Sequence, residues 1–141
     1  FPTAYAARTT SFDFARSPLG TKFPGFAPCC TMVALAELLA GGYFTCALWG
    51  NGSVSCCGRN DYGQLGLGDV SNRDTLGDHV PLGGPADALF LGGSHACAAV
   101  PSGLKCWGYN YGGKLGYGDT NNRGDDPDEV ASLPAVPIPA G

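Results

Sequence analysis

The segment Gly63-Gln64-Leu65-Gly66-Leu67-Gly68-Asp69 returns fifty residues later as Gly113-Lys114-Leu115-Gly116-Tyr117-Gly118-Asp119. A chain of 141 residues that repeats itself at this period has few folds open to it. Each copy must be one supersecondary unit, and the units must stack to bury a shared core. At an offset of 50, residues 58–80 and 108–130 agree at 11 of 23 positions. The agreements are Gly58/Gly108, Asn60/Asn110, Gly63/Gly113, Leu65/Leu115, Gly66/Gly116, Gly68/Gly118, Asp69/Asp119, Asn72/Asn122, Arg73/Arg123, Asp78/Asp128 and Val80/Val130. Upstream the offset becomes 51, pairing Gly41-Gly42 with Gly92-Gly93, Cys46 with Cys97 and Gly52 with Gly103. One residue is missing from the second copy between Gly103 and Cys106.

The glycines do not spell a nucleotide site. A Walker loop requires Lys and Ser/Thr after its last glycine, whereas Asp69 and Asp119 stand there, and Ser71 occupies the third glycine of a dinucleotide fingerprint. An acid beside a phosphate would repel it. The alternative is turns between short strands. Tyr43–Trp49 reads as a strand, Asn51-Gly52 as a hairpin signal and Ser53–Gly58 as the returning strand. Ser94–Val100, the Pro101–Gly103 turn and Leu104–Gly108 repeat the pattern, and Val33–Ala40 and Ala86–Leu91 supply a preceding strand to each copy. Leu65 and Leu115 are expected as plugs between stacked units, and Asn60 and Asn110 as side chains tying turn backbone. The expectation is an all-β fold: a partial propeller-like stack of about two blades. Residues 1–32 form an extended arm, the repeats span 33–136 (33–82 and 86–136), and 137–141 form the end of a proline-rich tail.

The stretches from Gly41 to Asp69 and from Gly92 to Asp119 resemble the repeats of the regulator of chromosome condensation family, notably in Cys106-Trp107-Gly108-Tyr109-Asn110 and the Gly-x-Leu-Gly that follows. The resemblance implies β-propeller architecture with about one four-stranded blade per repeat, and structural roles for His95 and Trp107. The first copy departs from the pattern, with Cys57 at the Trp107 position and Phe44 at the His95 position. The family's founding member is a guanine-nucleotide exchange factor for a small GTPase; others are secreted binding proteins, including an inhibitor of β-lactamases. Propellers usually need four to eight blades, so two repeats leave both end faces to be covered.

Of the 7 cysteines, Cys46 and Cys56 are symmetric about Asn51, and Cys97 and Cys106 about the next turn. Opposed cysteines on paired strands can meet disulfide geometry, and each bond would contribute roughly 3 kcal/mol in the chain-entropy model. Two disulfides imply an oxidising compartment, extracytoplasmic or an organelle lumen of secretory or thylakoid type; four buried thiols are the alternative. Cys29, Cys30 and Cys57 remain, without the C-x-x-C spacing of a metal or redox site. Residues 1–36 carry Arg8, Arg16 and Lys22 against Asp13 and resemble the mature side of an organelle-targeted protein.

Other chemistry is thin. Ser94 and His95 adjoin on one strand and point to opposite faces, so His95 is expected as a hydrogen-bonded core residue. The loop from Gly118 to Glu129 mimics a calcium loop but places Arg123 at a ligand position and Val130 at the twelfth. Arg123-Gly124-Asp125 matches an integrin-binding tripeptide, and Asn51-Gly52-Ser53 is a glycosylation sequon. Net charge is −4, without the basic stripe of a nucleic-acid binder. Phe23–Trp49 is long enough to cross a membrane but contains Glu37, Pro24, Pro28 and Gly41-Gly42, which favour strands. The expectation is a non-enzyme without cofactor or metal: an interaction module serving as a small subunit on a larger protein assembly, which could be a membrane complex. The alternatives are exchange factor and secreted binding or inhibitor protein.

Overall fold

The structure is a computed structural model that describes residues 33–139. Two antiparallel three-stranded sheets follow one another along the chain. Blade one is β1 (Leu35–Ala40), β2 (Phe44–Trp49) and β3 (Val54–Gly58), and blade two is β4 (Ala88–Leu91), β5 (His95–Val100) and β6 (Gly103–Gly108). The hairpins register as the cysteine symmetry requires, with Cys46 opposite Cys56 and Cys97 opposite Cys106. Their sulfurs lie 2.04 and 2.09 Å apart, at disulfide distance. Cys57 is half-buried; Cys29 and Cys30, with the whole expected arm, lie outside the described residues.

The four-stranded blade implied by the repeat is only partly formed. Beyond β3 the chain returns alongside it, and Arg73 and Gly58 exchange both backbone hydrogen bonds. Further on, His79 bridges Ser55, and the Val80 N–H donates to the Val54 carbonyl at 2.8 Å. Pro81 and Pro85 cannot donate to a ladder, so this fourth strand stays a set of isolated bridges. In blade two Gly108 and Arg123 make the same exchange. A single helical turn, α1 (Glu129–Ser132), then intervenes before the Val136 N–H donates to the Leu104 carbonyl at 2.7 Å. Val136, six residues later than the Val130 that sequence pairs with Val80, thus holds Val80's place in the ladder.

The core lies between the blades. Leu39, Phe44, Cys46, Leu48, Val54 and Cys56 face blade two, and Leu89, Ala96, Ala98, Val100 and Trp107 face blade one. Strand alternation therefore gives the two cysteine pairs opposite settings. Cys46 and Cys56 are fully buried in the contact, while Cys97 and Cys106 point to blade two's outward face, where Cys97 is half-exposed. Thiol attack on a disulfide depends on access to its sulfurs. Stepwise titration with a mild reductant, read by alkylation and peptide mass mapping, is expected to open Cys97–Cys106 before Cys46–Cys56. The reverse order would contradict this placement, and four alkylatable thiols in untreated protein would remove both bonds.

Candidate functional site

In each blade one asparagine organises the glycine-rich loop. Asn60 is fully buried; its Oδ1 accepts from the Leu65 N–H at 3.0 Å, and its Nδ2 donates to the Asp69 and Ser71 carbonyls at 2.8 and 3.0 Å. Its own N–H donates to Asn72 Oδ1 at 2.9 Å. Asn110 does the same with Leu115, Asp119, Asn121 and Asn122. Each loop is closed by an ion pair of 2.6 Å, Arg73–Asp69 and Arg123–Asp119. The Arg73 hydrogen bond leads in holding the Asp69 carboxyl below the usual range. A buried amide with every partner present rigidifies its loop, and this accounts for Asn60, Asp69, Asn72, Arg73 and their copies.

The two loops then meet different surroundings. Gly63 has φ +70°, and a Cβ there would lie 2.5 Å from the Asp125 nitrogen. Gly66 has φ +71°, and a Cβ there would lie 2.7 Å from Trp107 Nε1. The indole, with no exposed surface, enters this slot and donates to the Gln64 carbonyl at 3.1 Å. Around the equivalent Gly113, Gly116 and Gly118 the nearest atoms belong to blade two itself or are absent. Leu65 and Leu115 are both buried, but only Leu65 belongs to the core between the blades. The candidate site is therefore the pair of outward blade faces: one repeats a surface that receives Trp107, the other a surface that delivers it.

Lys105, buried in the contact, spreads its ammonium over the Leu82, Val130 and Ala131 carbonyls at 3.0–3.3 Å. It thereby ties α1 to the connector between blades, and nothing in its sequence setting indicated this. A second unanticipated contact is Ser55 Oγ with His79 Nδ1 at 2.8 Å. This pair is not a nucleophile and base of the hydrolase kind: Ser55 is fully buried, and its Oγ also accepts from Trp49 Nε1. Among the described residues no group of three or more His, Cys, Asp or Glu side chains could hold a metal ion, and no helix is long and apolar enough to cross a membrane.

Residues 40–64 match the family model for the regulator of chromosome condensation (RCC1) repeat. Among solved structures the chain is similar to Prp20p from Saccharomyces cerevisiae, studied with its binding to Gsp1p and histones. Identity is 18% and the TM-score 0.57, over 79% of this chain and 27% of that one. It is also similar to yeast RCC1 (Prp20) solved with Kap60 bound, at 22% identity and TM-score 0.54, over 72% of this chain and 25% of that one. The chain thus spans about a quarter of the length of these structures, and the likeness establishes propeller-type blades.

His95 departs from its expected role. It lies on blade two's outward face over Gly92, as Phe44 lies over Gly41 in blade one, and its Nδ1 is buried without a hydrogen-bond partner. Burial foremost, and Lys114 second, hold the imidazole below its ordinary value of 6.5. The unfolded chain takes up this proton near the ordinary value and the folded chain resists it. Stability is therefore intact above about pH 6.5 and falls as pH drops below it. His95→Phe installs the residue of the other blade and should flatten that part of the pH–stability curve. Thermal melts across the window test this, and an unchanged slope would contradict it.

Proposed function

We propose that this chain, built on the regulator of chromosome condensation repeat, is a non-catalytic protein-interaction module that serves as a small subunit docked on a larger protein assembly. The observation that carries the reading is the bareness of the blade faces. Leu38 and Leu35 on β1 are 39% and 36% exposed, Phe90 on β4 is 58% exposed and Ile138 in the tail 69%. In stacked-repeat proteins most burial lies between neighbours, and exposed apolar patches of this kind mark protein contacts. The relatives point the same way: Prp20p binds Gsp1p and histones, and yeast RCC1 is bound by Kap60. The net charge of −4 favours protein over nucleic acid as partner.

The paired cysteines of the two hairpins support an oxidising compartment as its setting, the lumen of an organelle or an extracytoplasmic space. Guanine-nucleotide exchange is the second reading. It fits the repeat, and the chain spans about a quarter of the length of the structures that suggest it. Gentle purification from the source, with co-purifying chains identified by mass spectrometry, is expected to return defined protein subunits in fixed stoichiometry, and nucleotide release from a small GTPase is expected to be unaffected. Recovery of the chain alone, or saturable acceleration of nucleotide release, would contradict the proposal.

A further inference from the structure

The hairpin turn of blade one is longer than its sheet requires. Blade two closes the equivalent hairpin with two residues, Pro101 and Ser102, between the paired Val100 and Gly103. Blade one uses five, Trp49 to Ser53, between the paired Leu48 and Val54. Both hairpins bring their cysteines into register, so the longer turn is not needed for pairing. What it adds is an Asn-x-Ser triplet at the tip of the blade. Of the 6 asparagines in the chain, Asn51 is the one followed two positions later by Ser or Thr. Asn60 and Asn110 are fully buried and committed to the glycine loops.

The turn presents the triplet to solvent. Asn51 is exposed, and its Oδ1 accepts from the Ser53 N–H at 3.0 Å and from the Ser53 hydroxyl at 2.7 Å. These bonds occupy the oxygen of the amide; its nitrogen, the atom that a glycan takes, stands outside them. The turn is closed by backbone, with the Gly52 N–H donating to the Trp49 carbonyl at 2.8 Å and the Trp49 N–H to the Ser53 carbonyl at 2.9 Å. The Ser53 hydroxyl is therefore not what holds it. Beside Asn51 a cleft of about 440 Å³ runs over Val80, Leu82, Gly83, Gly84 and Pro85. Two of these positions carry no side chain, and a sugar attached to Asn51 has room there.

Resting on the oxidising-compartment reading, we propose that Asn51 is a modification site that carries an N-linked oligosaccharide added in a secretory lumen. The donor is a lipid-linked oligosaccharide diphosphate. A bond forms from Asn51 Nδ2 to the anomeric carbon as the bond from that carbon to the diphosphate breaks. The diphosphate leaves with the electron pair, and the amide proton passes to a base of the transferase. The glycan keeps the turn end of blade one in solvent, so protein partners dock elsewhere on the module.

The test treats the full chain, isolated from its source, with a peptide-N-glycosidase in heavy-oxygen water. Peptide mass mapping should find residue 51 converted to an aspartate that carries the heavy oxygen. A parallel sample without enzyme reports spontaneous deamidation at Asn51-Gly52, and equal label in both would overturn the proposal. Unlabelled Asn51 in a chain with both disulfides closed would overturn this inference and leave the oxidising-compartment reading standing. Unlabelled Asn51 with the hairpin cysteines free would overturn both. Expressed through a eukaryotic secretory pathway, the wild-type chain should migrate as a heavier species than its enzyme-treated form. Asn51→Gln and Ser53→Ala should lose that difference completely, while Ser53→Thr, which keeps a hydroxyl, should retain it; circular dichroism verifies that each variant is folded. A wild type without the difference, its persistence in Asn51→Gln or its loss in Ser53→Thr would each contradict the assignment.

Discussion

The structure depends on one insertion, the Trp107 indole into the slot beside Gly66. The ring has no exposed surface, donates to the Gln64 carbonyl, and leaves no room for a Cβ on the glycine it meets. A three-stranded sheet of this size buries little apolar surface by itself. The two need a joint with the packing density of a protein interior, and a large aromatic entering a backbone groove supplies area that small β-blades otherwise lack. The Asn60 network holds the groove open from behind, so the repeated polar residues act through the shape they give the loop.

That arrangement makes the duplication intelligible and exposes its limit. A repeat carries both halves of a contact, and the two described repeats bring one pair of halves together. The repeats differ at particular positions: Cys57 stands where the other copy has Trp107, Tyr117 stands where the other has Leu67 and bonds the Cys106 backbone, and Trp49 donates to the buried Ser55.

Much of this was legible in the sequence. The strands, hairpin turns and opposed cysteines follow from period-2 alternation and the Asn51-Gly52 signal, and the asparagines from their fixed distance to the glycine loop. The facing of each sheet was not legible. Cys46 and Cys97 are equivalent by repeat, yet one lies inside the contact and the other outside it, because only stacking order decides which side a neighbour occupies. The Val136 ladder bond was hidden by α1, which shifts the register by six residues while Val130 keeps the sequence match. His95 looked like a core residue because its local sequence is that of a strand and the family resemblance implied a structural role; its Nδ1 is buried without a hydrogen-bond partner.

The most direct test of this dependence is a double-mutant cycle between Gly66→Ala and Trp107→Ala, measured by denaturant unfolding. Trp107→Ala alone should cost about 3–5 kcal/mol. Gly66→Ala alone should be costly through both its positive φ and its collision with the indole. In the Trp107→Ala background the collision with the indole disappears, while the backbone strain, about 1–2 kcal/mol, and the approach to Val80 Cγ1 at 2.9 Å remain. The account predicts a coupling energy of about 1–3 kcal/mol between the two sites. Effects that add to within about 0.5 kcal/mol would show that the indole and the glycine slot do not hold the blades together.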